Sequence, residues 1–223
     1  MSTDYYHLAQ MACLLKDEKF KNNQTIGLWS NIIYSKNDRK SYIFEQIIYL
    51  KKILLDFFLR LKWTQLYKAI GVDKVVNLRS FDILGFDYIL SNKKKDFCKL
   101  SFNKIKKEKI DGIPAHENII DTYIRFRNKP NVDFNDYYLK EILIKFTNLK
   151  KKFLKYFGNF ENECSLFLNY SNYHLGILAK TALSLNFNVY TTRDASSYLK
   201  KLSKKDYTTN MICNNLPINL NFY

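Results

Sequence analysis

The stretch NECSLFLNYSNYHLGILAKTALSLNFNVYTT, residues 162–192, decides the fold of this chain. Its Leu-Phe-Leu run at 166–168 is short and apolar, as in parallel strands that are buried on both faces. A polar tip at 170–174 follows the run. Apolar residues then recur at helical spacing: Leu175, Leu178, Ala182 and Leu185. The order strand, loop, helix, strand predicts a parallel β–α–β unit with a right-handed crossover.

Strands alternate with helices along the rest of the chain as well. Periodicity and stop signals predict helices at 5–19, 41–61, 64–70, 115–126 and 136–157, and strands at 25–34 and 72–78. We therefore predict an α/β fold, a Rossmann-like layered sheet that is mostly parallel with helices on both faces. Residues 1–223 are taken as a single α/β domain. Residues 196–223 form a poorly defined tail, in which SSYLKKLSKKDY can be interpreted as a helix.

The fold logic places a ligand site at the polar tip. In open α/β sheets, ligands bind at the carboxyl ends of the strands. Tyr170, Tyr173 and His174 stand at that end of the first strand, and Arg193 follows the second. These four side chains are therefore predicted to bind substrate. Gly176 costs about 1 kcal/mol in a helix relative to alanine, and a close approach of helix to strand would explain it.

A second group of candidates lies on the helix predicted at 115–126. Glu117, Asp121 and Arg125 are spaced i, i+4, i+8, so a helix places them on one face. The residues on this face have two interpretations. They form either a carboxylate base beside a phosphate-binding arginine, or an exposed salt bridge that stabilises the helix by a few tenths of a kcal/mol. His116 is either a base or a helix cap, and the cap or a solvent-exposed role is preferred. Glu117 and His116 are thus the catalytic candidates.

The chain is strongly basic, with a formal net charge of +15. Such a charge attracts nucleic acid, anionic lipid or phosphorylated substrates, but codon bias towards Lys, Asn, Ile, Phe and Tyr produces it too. The lysines are spread over several separate runs, and no common RNA-binding or helix-turn-helix signature is evident. Nucleic acid is therefore not the favoured partner, although 17 tyrosines and 17 phenylalanines would suit stacking on single strands.

Metal, redox and membrane-spanning classes receive no support from the sequence. The four cysteines form no CxxC pair and the three histidines no HExxH motif, so no metal site is predicted. The apolar segment 43–63 is interrupted by charges and is too polar to span a bilayer. Lys52, Asp56 and Arg60 form one polar stripe on it, so the preferred interpretation is a core helix, with a membrane-interface helix as the alternative. No secretory signal opens the chain, which favours the cytoplasm.

Two further segments carry a resemblance to a known family. IDGIPAHENIIDTYIRFRNKPNVD (110–133) and NYSNYHLGILAKTALSLNFNVY (169–190) resemble, in that order and separation, the amino-terminal half of bacterial surface-carbohydrate or capsular-polysaccharide biosynthesis proteins. WTQLYKAIG (63–71) resembles the segment before that family's second strand. The matching positions in the first segment are Asp121, Thr122, Tyr123, Arg125, Lys129 and Pro130. The family favours Gly-Asp where this chain has His116-Glu117.

The resemblance implies a glycosyltransferase-like protein with paired Rossmann-like halves. This chain would be the acceptor-side half, inactive alone or part of a split protein, and peripheral to the inner membrane. Its partners would be a sugar or lipid-linked acceptor, an anionic membrane surface and a second domain or chain. No cofactor is expected on this chain, since the nucleotide-sugar donor would bind the other half. Two alternatives stay open: a basic nucleic-acid-binding protein and a non-catalytic scaffold at the inner membrane face.

Overall fold

The computed structural model describes residues 2–16, 24–30, 42–78, 109–110, 113–128, 130–160, 164–169, 171–192 and 199–207. They fall into two compact units. Unit 1 takes its residues from 1–98 and 135–152, and unit 2 takes its residues from 99–134 and 153–223. Each unit is described by itself below.

Unit 1 contains one parallel strand pair with a long crossover helix. Its first elements are α1 (Ser2–Lys16), β1 (Ile26–Trp29), α2 (Tyr42–Ala69) and β2 (Lys74–Asn77). β1 and β2 pair in parallel with Ile26 opposite Lys74. At the start of the pair the backbone N–H of Thr25 donates to Asp73 Oδ2 at 2.6 Å, and the Thr25 hydroxyl donates to the same oxygen at 3.0 Å. These bonds hold the pKa of Asp73 below its ordinary value.

Helix α2 is continuous where the sequence predicts two helices, 41–61 and 64–70. The residues between them, Leu61–Trp63, include no proline or glycine that would break a helix. The helix ends as predicted at Gly71, whose φ of 98° lies in the region that L side chains rarely adopt. A hydrogen bond of 3.1 Å from the Gly71 N–H to the Lys68 carbonyl oxygen closes the last turn of the helix.

The core interpretation of α2 is wrong for much of its apolar surface. Asp56 is buried and accepts a hydrogen bond from Trp29 Nε1 at 3.4 Å, so the predicted polar stripe faces inwards. Eight large apolar side chains are exposed instead, from 38% for Leu59 to 64% for Phe58. Periodicity identified the faces of α2, but it did not say which face would be covered.

Unit 2 is built on a three-stranded sheet. Its elements begin with β3 (Lys109–Ile110), β4 (Ile113–Pro114) and α3 (His116–Arg127). Next comes α4 (Tyr137–Phe157), whose residues up to Lys152 belong to unit 1. The remaining elements are β5 (Ser165–Leu168), α5 (Tyr173–Ser184), β6 (Asn188–Thr192), β7 (Leu199–Leu202) and a 3₁₀ turn at Lys204–Tyr207.

The sheet order is β5–β6–β7. β5 and β6 are parallel, with Ser165 opposite Asn188, which confirms the β–α–β unit predicted from 162–192. β7 pairs antiparallel with β6, with Val189 opposite Leu202. The helix interpretation of 196–207 is therefore wrong at β7, because Leu202 is buried in the sheet and Lys200 and Lys201 are exposed.

The core of unit 2 lies on one face of this sheet. Leu166 and Leu168 of β5 are buried, whereas Phe167 between them is half-buried and stacks on Tyr190 at 5.0 Å. The expectation that 166–168 is fully buried on both faces is thus wrong on the Phe167 side. Phe187, just before β6, contacts the ring of Phe153 at 6.1 Å, which ties the end of α4 into this core.

The described residues therefore form a mixed α/β structure. Of its described strand pairs, β1–β2 and β5–β6 are parallel, while β3–β4 and β6–β7 are antiparallel. Among these residues, no helix combines the length and the apolar character needed to cross a bilayer.

Candidate functional site

The predicted ligand edge lies where β5 passes into α5. The tip residues Ser171 and Asn172 follow the strand, and Tyr173 opens the helix. Asn172 makes no side-chain cap hydrogen bond to the first turn of α5. The amino terminus of a helix favours negative charge, so this edge is suited to an anion. Tyr170 and Arg193, which the sequence assigned to the same edge, lie outside the described residues.

Arg125 of α3 reaches this edge. Its guanidinium donates to the Tyr173 hydroxyl at 2.6 Å and lies 4.7 Å from the centre of the Tyr173 ring. The Tyr173 ring also meets Phe126 edge-on at 6.2 Å. The sequence named Arg125 and Tyr173 separately as substrate-binding residues, and the fold brings them together across 48 positions. Arg125 remains exposed, so a solvent-borne ligand can approach its guanidinium.

Tyr173 has a backbone that requires support. Its φ of 51° lies in the left-handed region, which costs a bulky L residue roughly 1–2 kcal/mol. The contacts with Arg125 and Phe126 hold the ring in place and offset that cost. Strained residues of this kind are found preferentially at ligand sites.

His174 stands next to Tyr173 in the first turn of α5. Desolvation of its ring lowers its pKa to about 4, although the residue retains some exposure. The imidazole is therefore neutral at physiological pH and has one donor and one acceptor nitrogen. We define Arg125, Tyr173 and His174 as the rim cluster.

Glu117 and Asp121 share one partner, Lys180, whereas Arg125 has another. Burial raises the pKa of Asp121, and the neighbouring Glu117 charge raises it further, while Lys180 of α5 opposes both. Both carboxylates in turn favour the charged form of Lys180. The predicted face of three residues is therefore divided: its two acids lie in the field of Lys180, and its arginine engages Tyr173.

His116 is the first residue of α3, and the N-cap position belongs to Ala115. Of the two preferred roles for His116, a cap or a solvent-exposed residue, the N-cap position does not apply, because Ala115 occupies it. No side chain caps this helix. His116 is half-buried and remains, with Glu117, a catalytic candidate.

The side chain that sequence reasoning missed is Lys180. It is 0% exposed, and its Nζ donates to the Pro114 carbonyl and, at 2.6 Å, to Asn118 Oδ1. Asn118, also buried, donates from Nδ2 to the Ser171 carbonyl at 3.4 Å. We call Lys180, Asn118 and the Pro114 carbonyl the lysine cluster. A signal was visible in the sequence, because Lys180 is the one charged residue in the run LGILAKTALSL.

The lysine cluster joins the end of β4, helix α3 and helix α5. Its link from Asn118 to the Ser171 carbonyl joins α3 to the loop that leads into Tyr173 and His174. Gly176 makes this arrangement possible. A Cβ there would lie 2.8 Å from Asn118 Cγ, and closer still to Asn118 Nδ2 and the Ser171 carbonyl oxygen. Gly176 thus allows α5 to lie close to α3 and to the loop that precedes α5. The predicted reason, a close approach of the helix to a strand, is not the one observed.

The burial of Lys180 predicts how the free energy of unfolding depends on pH. Burial lowers its pKa from 10.5 to about 8, so the unfolded chain binds more protons between those values. The free energy of unfolding should therefore rise with pH through that window, by about 2 kcal/mol from about pH 7 to about pH 9.5. Urea unfolding followed by far-UV circular dichroism measures this. Lys180→Met is the control and should remove the rise; an equal rise in both proteins would assign it to other groups.

The chemistry of the site follows from these positions. Lys180 is enclosed and positions helices, whereas Arg125 of the rim cluster is exposed and Tyr173 and His174 are partly exposed. Within the described parts of the chain, no group of three or more His, Cys, Asp or Glu residues is arranged to hold a metal ion. The donors of the rim cluster suit a phosphate or a sugar hydroxyl.

No protein-family model, curated protein or solved structure matches the chain. The resemblance to surface-carbohydrate proteins therefore rests on the residues that carry it in the sequence.

Proposed function

We propose that this protein is a glycosyltransferase-like component of bacterial surface polysaccharide biosynthesis, and that unit 2 binds a phosphate-bearing, lipid-linked acceptor at the rim cluster. The observation that carries the proposal is the Arg125 guanidinium beside Tyr173, at the first turn of α5 and the carboxyl end of a parallel strand. A guanidinium pairs well with phosphate oxygens, and the helix terminus adds favourable partial positive charge.

Each rim residue has a role in this proposal. Arg125 contacts the phosphate, Tyr173 forms a wall for the first sugar or isoprene unit, and neutral His174 exchanges hydrogen bonds with a hydroxyl. Asp121 supports the site from α3, and Glu117 or His116 is the candidate base. Tyr170 and Arg193 belong to the same proposed edge by their place in the sequence.

The proposal includes a division of labour. The chain would be the acceptor-side half of a Rossmann-like layered α/β fold, and a second half, on another chain or further sequence, would hold the nucleotide-sugar. It would work in the cytoplasm at the inner membrane face. A titration of the chain with UDP-glucose by calorimetry should then give no tight binding, and micromolar binding would contradict this division.

The binding role of Arg125 gives a direct prediction. Arg125→Ala should weaken binding of farnesyl phosphate about 10- to 100-fold, because a hydrogen bond to a charged group contributes about 1.5–3 kcal/mol. Fluorescence competition or calorimetry measures the dissociation constant. Arg127→Ala removes a guanidinium two positions along the same helix and should leave the affinity within about twofold. Equal losses of affinity in both variants would mean that Arg125 acts only through the overall positive charge of the helix. Salt-sensitive gel shifts with RNA would instead favour a nucleic-acid-binding protein.

A further inference from the structure

The outer face of α2 in unit 1 is an apolar surface that the rim cluster does not explain. We define it by its exposed apolar residues: Ile47, Leu50, Leu54, Phe57, Phe58 and Leu61. Their steps of three and four residues place them on one side of the helix. Soluble proteins rarely expose a contiguous apolar patch of this kind without an interaction partner.

The charges beside this face have one sign. Among the described side chains of α2, the exposed charged ones are Lys51, Lys62 and Lys68. The acid Asp56 points the other way, is buried and binds Trp29. At 100° per residue, Lys51 and Lys62 lie along one edge of this face, between it and the exposed Leu55 and Leu59. An apolar face with lysines along one edge is complementary to a surface that is apolar inside and anionic at its boundary.

We propose that the outer face of α2 docks onto an anionic lipid bilayer, with Leu54, Phe58 and Leu61 at the level of the acyl chains. Lys51 and Lys62 then contact the lipid phosphates. A second copy of the chain packed antiparallel fits less well, because it would bring the lysine-bearing edges of the two α2 helices together. The apolar surface is also wider than a helix-pairing seam, since Leu55 and Leu59 are exposed on its flank.

This surface shares no residue with the rim cluster. It adds to the proposed function a means of holding the protein where lipid-linked substrates are found. Loss of vesicle binding leaves the acceptor proposal standing, and loss of farnesyl phosphate binding leaves the membrane proposal standing. The two can therefore fail separately.

The test is co-sedimentation of the full chain with vesicles of phosphatidylcholine alone or mixed with phosphatidylglycerol. Wild-type protein should partition preferentially to the mixed vesicles, and added salt should weaken binding. Phe58→Ser should lower the partition coefficient about tenfold, since one buried aromatic side chain is lost. Lys51→Glu with Lys62→Glu should lower it about 30-fold on anionic vesicles and little on neutral ones.

Phe160→Ser is the matched control. Phe160 is a phenylalanine outside α2 that is 43% exposed, and its replacement should leave partitioning unchanged. Far-UV circular dichroism checks that each variant is folded. If Phe58→Ser does not fold, the variant with both lysines replaced still tests the proposal. Equal binding of wild type to neutral and anionic vesicles overturns the proposal. So does a concentration-dependent dimer in sedimentation velocity that Phe58→Ser dissociates while vesicle binding is absent.

Discussion

Replacement of Asn118 by leucine is expected to lower the free energy of unfolding by about 3–5 kcal/mol. Asn118 Oδ1 accepts a 2.6 Å hydrogen bond from Lys180 Nζ, and both side chains are buried. Leucine has a similar size but no acceptor, so the ammonium group loses a partner in a place where water cannot replace it. The link to the Ser171 carbonyl is lost as well. Urea unfolding monitored by far-UV circular dichroism measures the change.

Two further variants separate the cost of leaving a buried charge unpaired from the cost of lost packing. Asn118→Asp keeps an oxygen that can accept from Lys180 and should cost much less than Asn118→Leu. Combining Asn118→Leu with Lys180→Met should recover about 2 kcal/mol relative to the sum of the single changes, because no charge is then left unpaired. Strict additivity, or a loss below about 0.5 kcal/mol for Asn118→Leu, would contradict the role of the lysine cluster.

Replacement of Gly176 by alanine is expected to destabilise the protein by about 2–3 kcal/mol. The new Cβ would overlap Asn118 and the Ser171 carbonyl oxygen, and the carbonyl belongs to backbone that is fixed by the start of α5. In an unobstructed helix the same change would stabilise by about 1 kcal/mol, so the sign of the effect is diagnostic. Thermal and urea unfolding both report it.

A second substitution identifies the obstruction. Asn118→Ala removes the amide that the Cβ would meet but leaves the Ser171 carbonyl in place. The double variant with Gly176→Ala should therefore be less destabilised than the sum of the two single changes. If Gly176→Ala were instead stabilising, the close approach of α5 to α3 would be refuted.

Local features were predictable from the sequence. The β5–α5–β6 unit was predicted because apolar runs and helical spacing are properties of neighbouring residues, and the parallel pairing confirms it. The end of α2 was predictable too, because Gly71 follows it and tolerates a positive φ. The strand β7 was missed, because its two leucines are three residues apart, a spacing typical of one face of a helix.

The candidate site was predictable residue by residue but not as an arrangement. Tyr173 and His174 followed from the rule that ligands bind at the carboxyl ends of strands. Arg125 followed from its helix, yet its stacking on Tyr173 depends on how α3 packs against α5. The sequence offered no means of measuring that distance, since the two positions are 48 residues apart.

By itself, the sequence determined most helices and strands, β7 excepted, and which of their faces are apolar, because those properties depend mainly on residues a few positions apart. Tertiary structure alone decided which faces are covered. It enclosed Lys180 among Asn118 and the Pro114 carbonyl, and it left the outer face of α2 in contact with solvent. Burial is a relation between distant segments, so a lysine can be driven into a core and a leucine left outside without any change in local periodicity.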